Sequence, residues 1–360
     1  MRAFPRYRRL FASAAEEAAF AHFLRLSLAG DEDAAADELR GEAARIAGHL
    51  DRIGLAAPLR CHAAIIASAA ARLKIAYAPP LRHRIEALAL REKTRSALVA
   101  EQSEVLERLL FDDLPPPLPL RGWRFAQRCY DEPESRHCHA LHWLVPEAAV
   151  AEVLASRLAQ AGRKEMPGLP LAPHKRIYAA PGQADVELHL RPFAWADASA
   201  CETIAGPEFA AAEILGSAMV EPGARSCRWM IDLSRLLRRE ALDVGRFARI
   251  VDGSGFSDAA AAGLREMATY LPRRETQLRA RLGTLANAAE RMPGGDRAAV
   301  EDLAAVHKLV SEKRKIPWLG GLRDAEVRGR AKALLAQRAA KRRSMGQARE
   351  ALRQRFETGS

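Results

Sequence analysis

Apolar positions from Pro5 to about Asp113 recur at spacings of three, four and seven residues. Ile85 and Leu88, then Leu98, Val105 and Leu109, with Val99, Leu106 and Leu110 beside them, carry the helical period. Pro79–Pro80 interrupts this run once. The block DDLPPPLPL (112–120) ends it, because consecutive prolines remove backbone donors and clash with the preceding turn. After the block the rhythm changes. LPLR (118–121) reads as a short strand, Gly122 as a turn, and WRFAQRCY (123–130) as a helix. DEPES (131–135) reads as an acidic loop and ALHWLV (140–145) as a second strand. A helix opened by Pro146 runs to about Ala161 and stops at Gly162.

MPGLPLAPHK (166–175) is a proline-rich connection. RIYAA (176–180) and ADVELHLRPF (184–193) then form two strands around the Pro181–Gly182 turn. The second alternates cleanly, with Val186, Leu188 and Leu190 on one face and Glu187, His189 and Arg191 on the other. From about Pro207 the helical period returns, over 208–219 and again over 229–240. The pattern predicts an α+β chain: a helical region 1–113, a small mixed-sheet module 114–200, a helical region 201–310, and a helical or disordered tail 311–360.

The chain has 360 residues, of which 49% are hydrophobic and 28% charged, a globular composition able to bury a sizeable core. No run of about 18 uncharged apolar residues offers a membrane span. The basic start lacks the apolar stretch of a secretory signal, since Glu16 and Glu17 interrupt it, so it reads as the first helix. Cys61, Cys129, Cys138, Cys201 and Cys227 are scattered with no C-x-x-C pair, which argues against a disulfide framework or zinc knuckle and for a reducing, cytoplasmic setting. Heavy use of Ala, and of Arg over Lys, points to a GC-rich bacterial genome. The net charge of +11 is concentrated at one end: residues 311–360 hold 14 Lys/Arg against 5 Asp/Glu, leaving 42 against 40 elsewhere. A tail carrying Lys341, Arg342 and Arg343 is a candidate contact for nucleic acid or another acidic partner, although it lacks interleaved aromatics for base stacking.

The stretch PLRGWRFAQRCYDEPESRHCHALHWLVPEAAVAEVLASRLAQAG (119–162) carries a more specific signal. Arg121–Gly122 follows an apolar strand, Ala126 and Tyr130 lie on the next helix, Arg136 precedes the second strand, and Leu144–Val145–Pro146 closes it. VELHLRPF (186–193) and RWMIDLSRLLRRE (228–240) follow downstream. In order and spacing, these elements over residues 40–275 resemble a family of uncharacterised bacterial nucleotidyltransferase-like proteins. That resemblance implies a nucleotidyltransferase-like sheet module, with a Lys-Gly turn where this chain has Arg121–Gly122 and an Asp-x-Asp pair where it has Ala140 and His142.

Nucleotidyl transfer uses two or three carboxylates to hold the cations that bridge the triphosphate. Alanine supplies no ligand, and imidazole suits zinc, copper or nickel better than magnesium. The resemblance therefore implies a degenerate active site. Arg121 and Gly122 are the candidate phosphate contacts. His142, Glu187 and Asp185 are the candidate catalytic groups, with His142 and Glu187, and His139 as a third option, the candidate ligands of a replacement metal. For Glu187 and Asp185, a surviving catalytic carboxylate and an ordinary polar strand face both stay open. Mg²⁺ or Mn²⁺ is implied for an active enzyme and Zn²⁺ for a rearranged site. Three functions follow: a degenerate nucleotide- or partner-binding transferase relative, an active transferase with a rearranged metal site, or a nucleic-acid-binding or scaffold protein acting through its tail. Asp131, Glu132 and Glu134 read as a solvated turn, and Asp232 as the partner of a nearby arginine.

Overall fold

Helix α1 (Ala14–Leu28) begins just after Ser13. Ser13 caps it, its Oγ accepting from the Glu16 N–H at 3.2 Å, and Glu16 and Glu17 occupy the first turn, where negative charge favours the helix dipole. A computed structural model describes residues 13–30, 33–53, 55, 57–115, 118–166, 174–193, 206–220, 227–292, 328, 331 and 332. After α1 come α2 (Asp33–Arg45), α3 (Ala47–Ile53), α4 (Ala63–Arg72) and the long α5 (Pro79–Leu110). The Pro79–Pro80 pair that breaks the sequence pattern forms the first turn of α5, where a missing N–H leaves no helical bond unmade.

The buried row of α5 is Leu81, Ile85, Ala89, Glu92, Ser96, Val99, Ser103, Leu106 and Leu110. Leu98, Val105 and Leu109, expected to join the apolar pattern, are exposed instead. Polar residues take their place in the row because each finds a partner: Glu92 meets His137 and Arg91, and Ser96 Oγ donates to the Arg136 carbonyl at 2.6 Å. Periodicity alone ranks leucine above serine. The tertiary hydrogen bonds reverse that order here.

The sheet module holds β1 (Leu118–Leu120), α6 (Arg121–Cys129), β2 (Ala140–Leu144), α7 (Ala148–Gln160), β3 (Lys164–Glu165), β4 (Lys175–Ala179) and β5 (Asp185–His189). Strand order is β1-β2-β5-β4-β3, with β2 and β5 parallel and the other neighbours antiparallel. The chain is thus α+β, a small mixed sheet flanked by helical regions. Strand β3 falls where no strand was expected. Lys164 pairs with Ala179 and Glu165 with Tyr178, and Arg163 steadies the approach by donating to the Ala184 carbonyl at 2.6 Å. Two residues carry no readable alternation. Strand β5 stops at His189, short of the expected Phe193; Leu190 N–H still bonds the His174 carbonyl at 2.7 Å, and Pro192 can donate nothing further.

The sheet separates two cores. On one face Leu141, Trp143, Tyr178, Val186 and Leu188 pack with Val99, Leu106 and Leu110 of α5 and Leu154 and Leu158 of α7. The other face turns toward a larger core. There α1 and α4 meet α8 (Pro207–Val220), α9 (Arg228–Arg239), α10 (Val244–Gly253), α11 (Ser257–Tyr270) and α12 (Thr276–Glu290). Helical segments from both sides of the module therefore share one interior. No helix among the described residues is long and apolar enough to cross a membrane. Lys341, Arg342, Arg343 and nearly all of the basic tail lie outside the described residues.

Candidate functional site

The site begins at the junction of β1 and α6. Arg121 and Gly122 both take positive φ, 42° and 31°. For Arg121 this conformation costs on the order of 1 kcal/mol or more. The surroundings hold it in place. The Gly122 carbonyl accepts from Arg136 Nη1 at 2.7 Å, and Arg121 Nε lies 3.5 Å from the fully buried Glu213 carboxylate of α8. A Cβ on Gly122 would lie 3.2 Å from both the Ala140 carbonyl and His142 Cδ2. Glycine is thus required by backbone conformation and by contact with β2.

Arg136 fixes the entry to β2. Its guanidinium forks onto Asp232 of α9, Nε to Oδ1 at 2.9 Å and Nη2 to Oδ2 at 2.8 Å, with both side chains buried. Tyr130 adds its hydroxyl to Asp232 at 2.7 Å. Burial works to raise the Asp232 carboxyl, but the Arg136 charge and these hydrogen bonds outweigh it and hold the pKa below the ordinary value. Asp232 is a structural anion paired with an arginine, as its place in an apolar helix suggested. Ser96 completes the anchor, also accepting from the Cys138 N–H at 3.3 Å.

Three strands supply the floor. Parallel register sets His142 opposite Glu187 and Leu144 opposite His189, while the antiparallel neighbour sets Lys175 opposite His189. These side chains share one sheet face because facing residues point the same way. His142 Nδ1 lies 3.2 Å from His189 Nε2 and 3.4 Å from Glu187 Oε2, and His189 Nε2 lies 3.5 Å from the same oxygen. Lys175 Nζ donates to Glu187 Oε2 at 2.6 Å. Nδ1 of His189 is buried and has no hydrogen-bond partner among the described residues.

Above this floor lies a cavity of about 350 Å³. Arg121, Gly122, Ala140, His142 and Glu187 line it, so the turn and both strands expected to build a site meet in one place. His139 lines it as well: β2 starts at Ala140, so strand alternation does not carry His139 to the opposite side. Asp185 shares the sheet face of Glu187 but is not a lining residue. His189, expected on the strand face of Glu187, completes the imidazole–carboxylate cluster. Two contributors carried no sequence signal: Lys175 stands at the end of a proline-rich connection, and Arg228 opens α9. Only the fold brings them together. Of the acidic loop, Asp131 pairs with Arg239 and Glu132 with Lys93, away from the cavity.

Electrostatically the cavity is cationic, with Arg121, Lys175 and Arg228 on its walls and Glu187 its lining carboxylate. Burial pushes His142 below the ordinary imidazole value, and it takes His189 down to about 3. His139 falls to about 4, through burial first and the Arg228 charge second. Burial opposes ionisation of Glu187, but His142, His189 and Lys175 together hold its carboxyl far below the usual range. Neutral imidazoles, one carboxylate and several fixed cations thus face a common space. No protein-family model matches this chain, and neither a curated protein nor a solved structure matches it.

Proposed function

We propose that the sheet module binds a phosphate-bearing ligand of the nucleotide type in this cavity, and that it does not transfer nucleotidyl groups by the two-metal route. The observation that carries the reading is the convergence of the Arg121–Gly122 turn, Lys175 and Arg228 on one recess of small-molecule size. Guanidinium and ammonium groups on the walls suit phosphate oxygens. Positions 140, 142 and 187 lie on one sheet face beside the glycine turn, which supports a relationship to the nucleotidyltransferase-like family.

The same face argues against transfer. The two-metal reaction needs two or three oxygen ligands for hard cations. Ala140 offers none, His142 offers nitrogen, and Glu187 already accepts from Lys175. A binding module descended from a transferase accounts for both the retained turn and the lost carboxylates.

Calorimetric titration with ATP and CTP, with and without Mg²⁺ or Mn²⁺, tests the binding half. Saturable binding weakened by Arg121→Ala and Arg228→Ala, and by added salt, is expected. Absence of binding to either nucleotide overturns it. A radiolabelled transfer assay tests the other half: metal-dependent transfer that disappears in Glu187→Ala would refute the degenerate reading.

A further inference from the structure

The triangle formed by His142 Nδ1, His189 Nε2 and Glu187 Oε2 has edges of 3.2, 3.4 and 3.5 Å. Two imidazole nitrogens and a carboxylate oxygen this close can also be spanned by a single cation in place of their mutual hydrogen bonds. A cation at their centre would engage all three. We infer that His142, His189 and Glu187 form a binding site for one divalent transition-metal ion of the zinc class.

Spacing and donor chemistry agree. A tetrahedral zinc ion with bonds of about 2.0–2.1 Å holds its ligand atoms about 3.3–3.4 Å apart. An octahedral magnesium ion with bonds of similar length would need neighbours about 2.9 Å apart, and it prefers oxygen throughout. Two imidazoles and one carboxylate make a set that zinc favours. The ligands sit on two hydrogen-bonded parallel strands in fixed register, so the triangle is held by the sheet. His189 is fully buried while His142 and Glu187 border the cavity, so the remaining coordination position opens toward that space. A water molecule or an oxygen of an anionic ligand fits it.

Lys175 supplies the distinguishing feature. Its ammonium occupies the same Glu187 oxygen that the ion would use. Its positive charge at that oxygen opposes entry of a second cation. Ion and ammonium therefore compete for one atom.

The inference goes beyond nucleotide binding and is tested without nucleotide. The full chain, stripped with a chelator, is titrated with Zn²⁺ and with Co²⁺. One equivalent should bind, Co²⁺ should show the intense visible absorption of four-coordinate sites, and X-ray absorption at the zinc edge should report imidazole ligands. Millimolar Mg²⁺ should not displace the ion. Glu187→Gln and His142→Asn should weaken binding by about ten-fold or more, since loss of even an outer-shell partner costs about 10–100-fold. Lys175→Met should tighten it, an effect a merely structural network would not give. No saturable uptake of either ion by the wild-type chain overturns the site, as does unchanged affinity in His142→Asn. Unchanged or weaker affinity in Lys175→Met overturns the shared-oxygen geometry. The wild-type spectra decide the question even where a variant fails to fold. Because nucleotide binding is also measured without added metal, failure of one reading leaves the other standing.

Discussion

Asp232→Ala would strip the counter-charge from Arg136 while leaving the guanidinium in an interior it cannot leave. The arginine then keeps its bonds to the Gly122 carbonyl and the Cys138 sulfur but loses both bonds of the fork, and the Tyr130 hydroxyl loses its acceptor. Breaking a buried pair from one side costs about 3–5 kcal/mol, most of it the burden of the orphaned charge. In chemical denaturation monitored by circular dichroism, that loss should lower the unfolding midpoint at constant slope, and in a thermal scan it should lower Tm by roughly 5–10 °C. The double substitution Arg136→Met with Asp232→Leu should recover much of the loss, because apolar groups of similar volume carry no desolvation penalty. Nucleotide affinity should fall in the double variant, since Arg136→Met removes the donor to the Gly122 carbonyl. The sign of the pH dependence follows from the depressed Asp232 pKa. Its contribution is full above the unfolded-state value, about 3.9, and is lost as the pH falls through the folded-state value. A loss below about 1 kcal/mol in Asp232→Ala, or a double variant no more stable than the single one, would refute the account of this pair as a buried positional clamp.

Gly122→Ala should cost about 1–3 kcal/mol and abolish nucleotide binding, because the added Cβ combines a positive φ with 3.2 Å approaches to Ala140 and His142; denaturant melts and calorimetry measure both effects. His62 is buried with its pKa pushed down to about 3, by burial first and the Arg228 charge second, so the unfolded chain binds the proton before the folded one does. Stability should therefore fall as the pH drops from about 6.5 toward 3, by at most about 1.4 kcal/mol per pH unit from this group, and His62→Leu should flatten that slope in pH-dependent denaturation. Trp143, buried between α5 and α7, should cost about 3–5 kcal/mol when changed to alanine, a loss visible in the same melts, with metal uptake by the opposite sheet face retained at temperatures where the variant stays folded.

Much of the architecture is legible in the amino-acid sequence. The alternation through Val186, Leu188, Glu187 and His189 assigned both faces of β5 correctly, because period two has one reading when one face is apolar. The strand–glycine–helix order locates the turn, and position 142 enters the site because the family resemblance sets an Asp-x-Asp pair at 140 and 142. What stayed hidden was everything that needs the third dimension. Lys175 sits after a proline-rich connection with no pattern around it, and Arg228 is one more arginine in an arginine-rich chain. His189 falls on the expected face of its strand beside the His142 segment, and the parallel pairing of β2 and β5 sets the two rings in contact. On α5 the failure had a different cause. Ser96 faces inward because the Arg136 carbonyl satisfies it, and a hydrophobic pattern cannot anticipate a partner so far away in sequence.

Helix α1 packs against α9 and α11, so its apolar face is completed by segments about 200 residues further along the chain. At a synthesis rate of about 5–20 residues per second, those partners leave the ribosome some 10–40 s after α1 does. During that interval Phe20, Phe23 and Leu24 have no native surface to cover them beyond the neighbouring helices. The sheet module waits as well, since Arg136 meets its counter-charge only when Asp232 of α9 has been made.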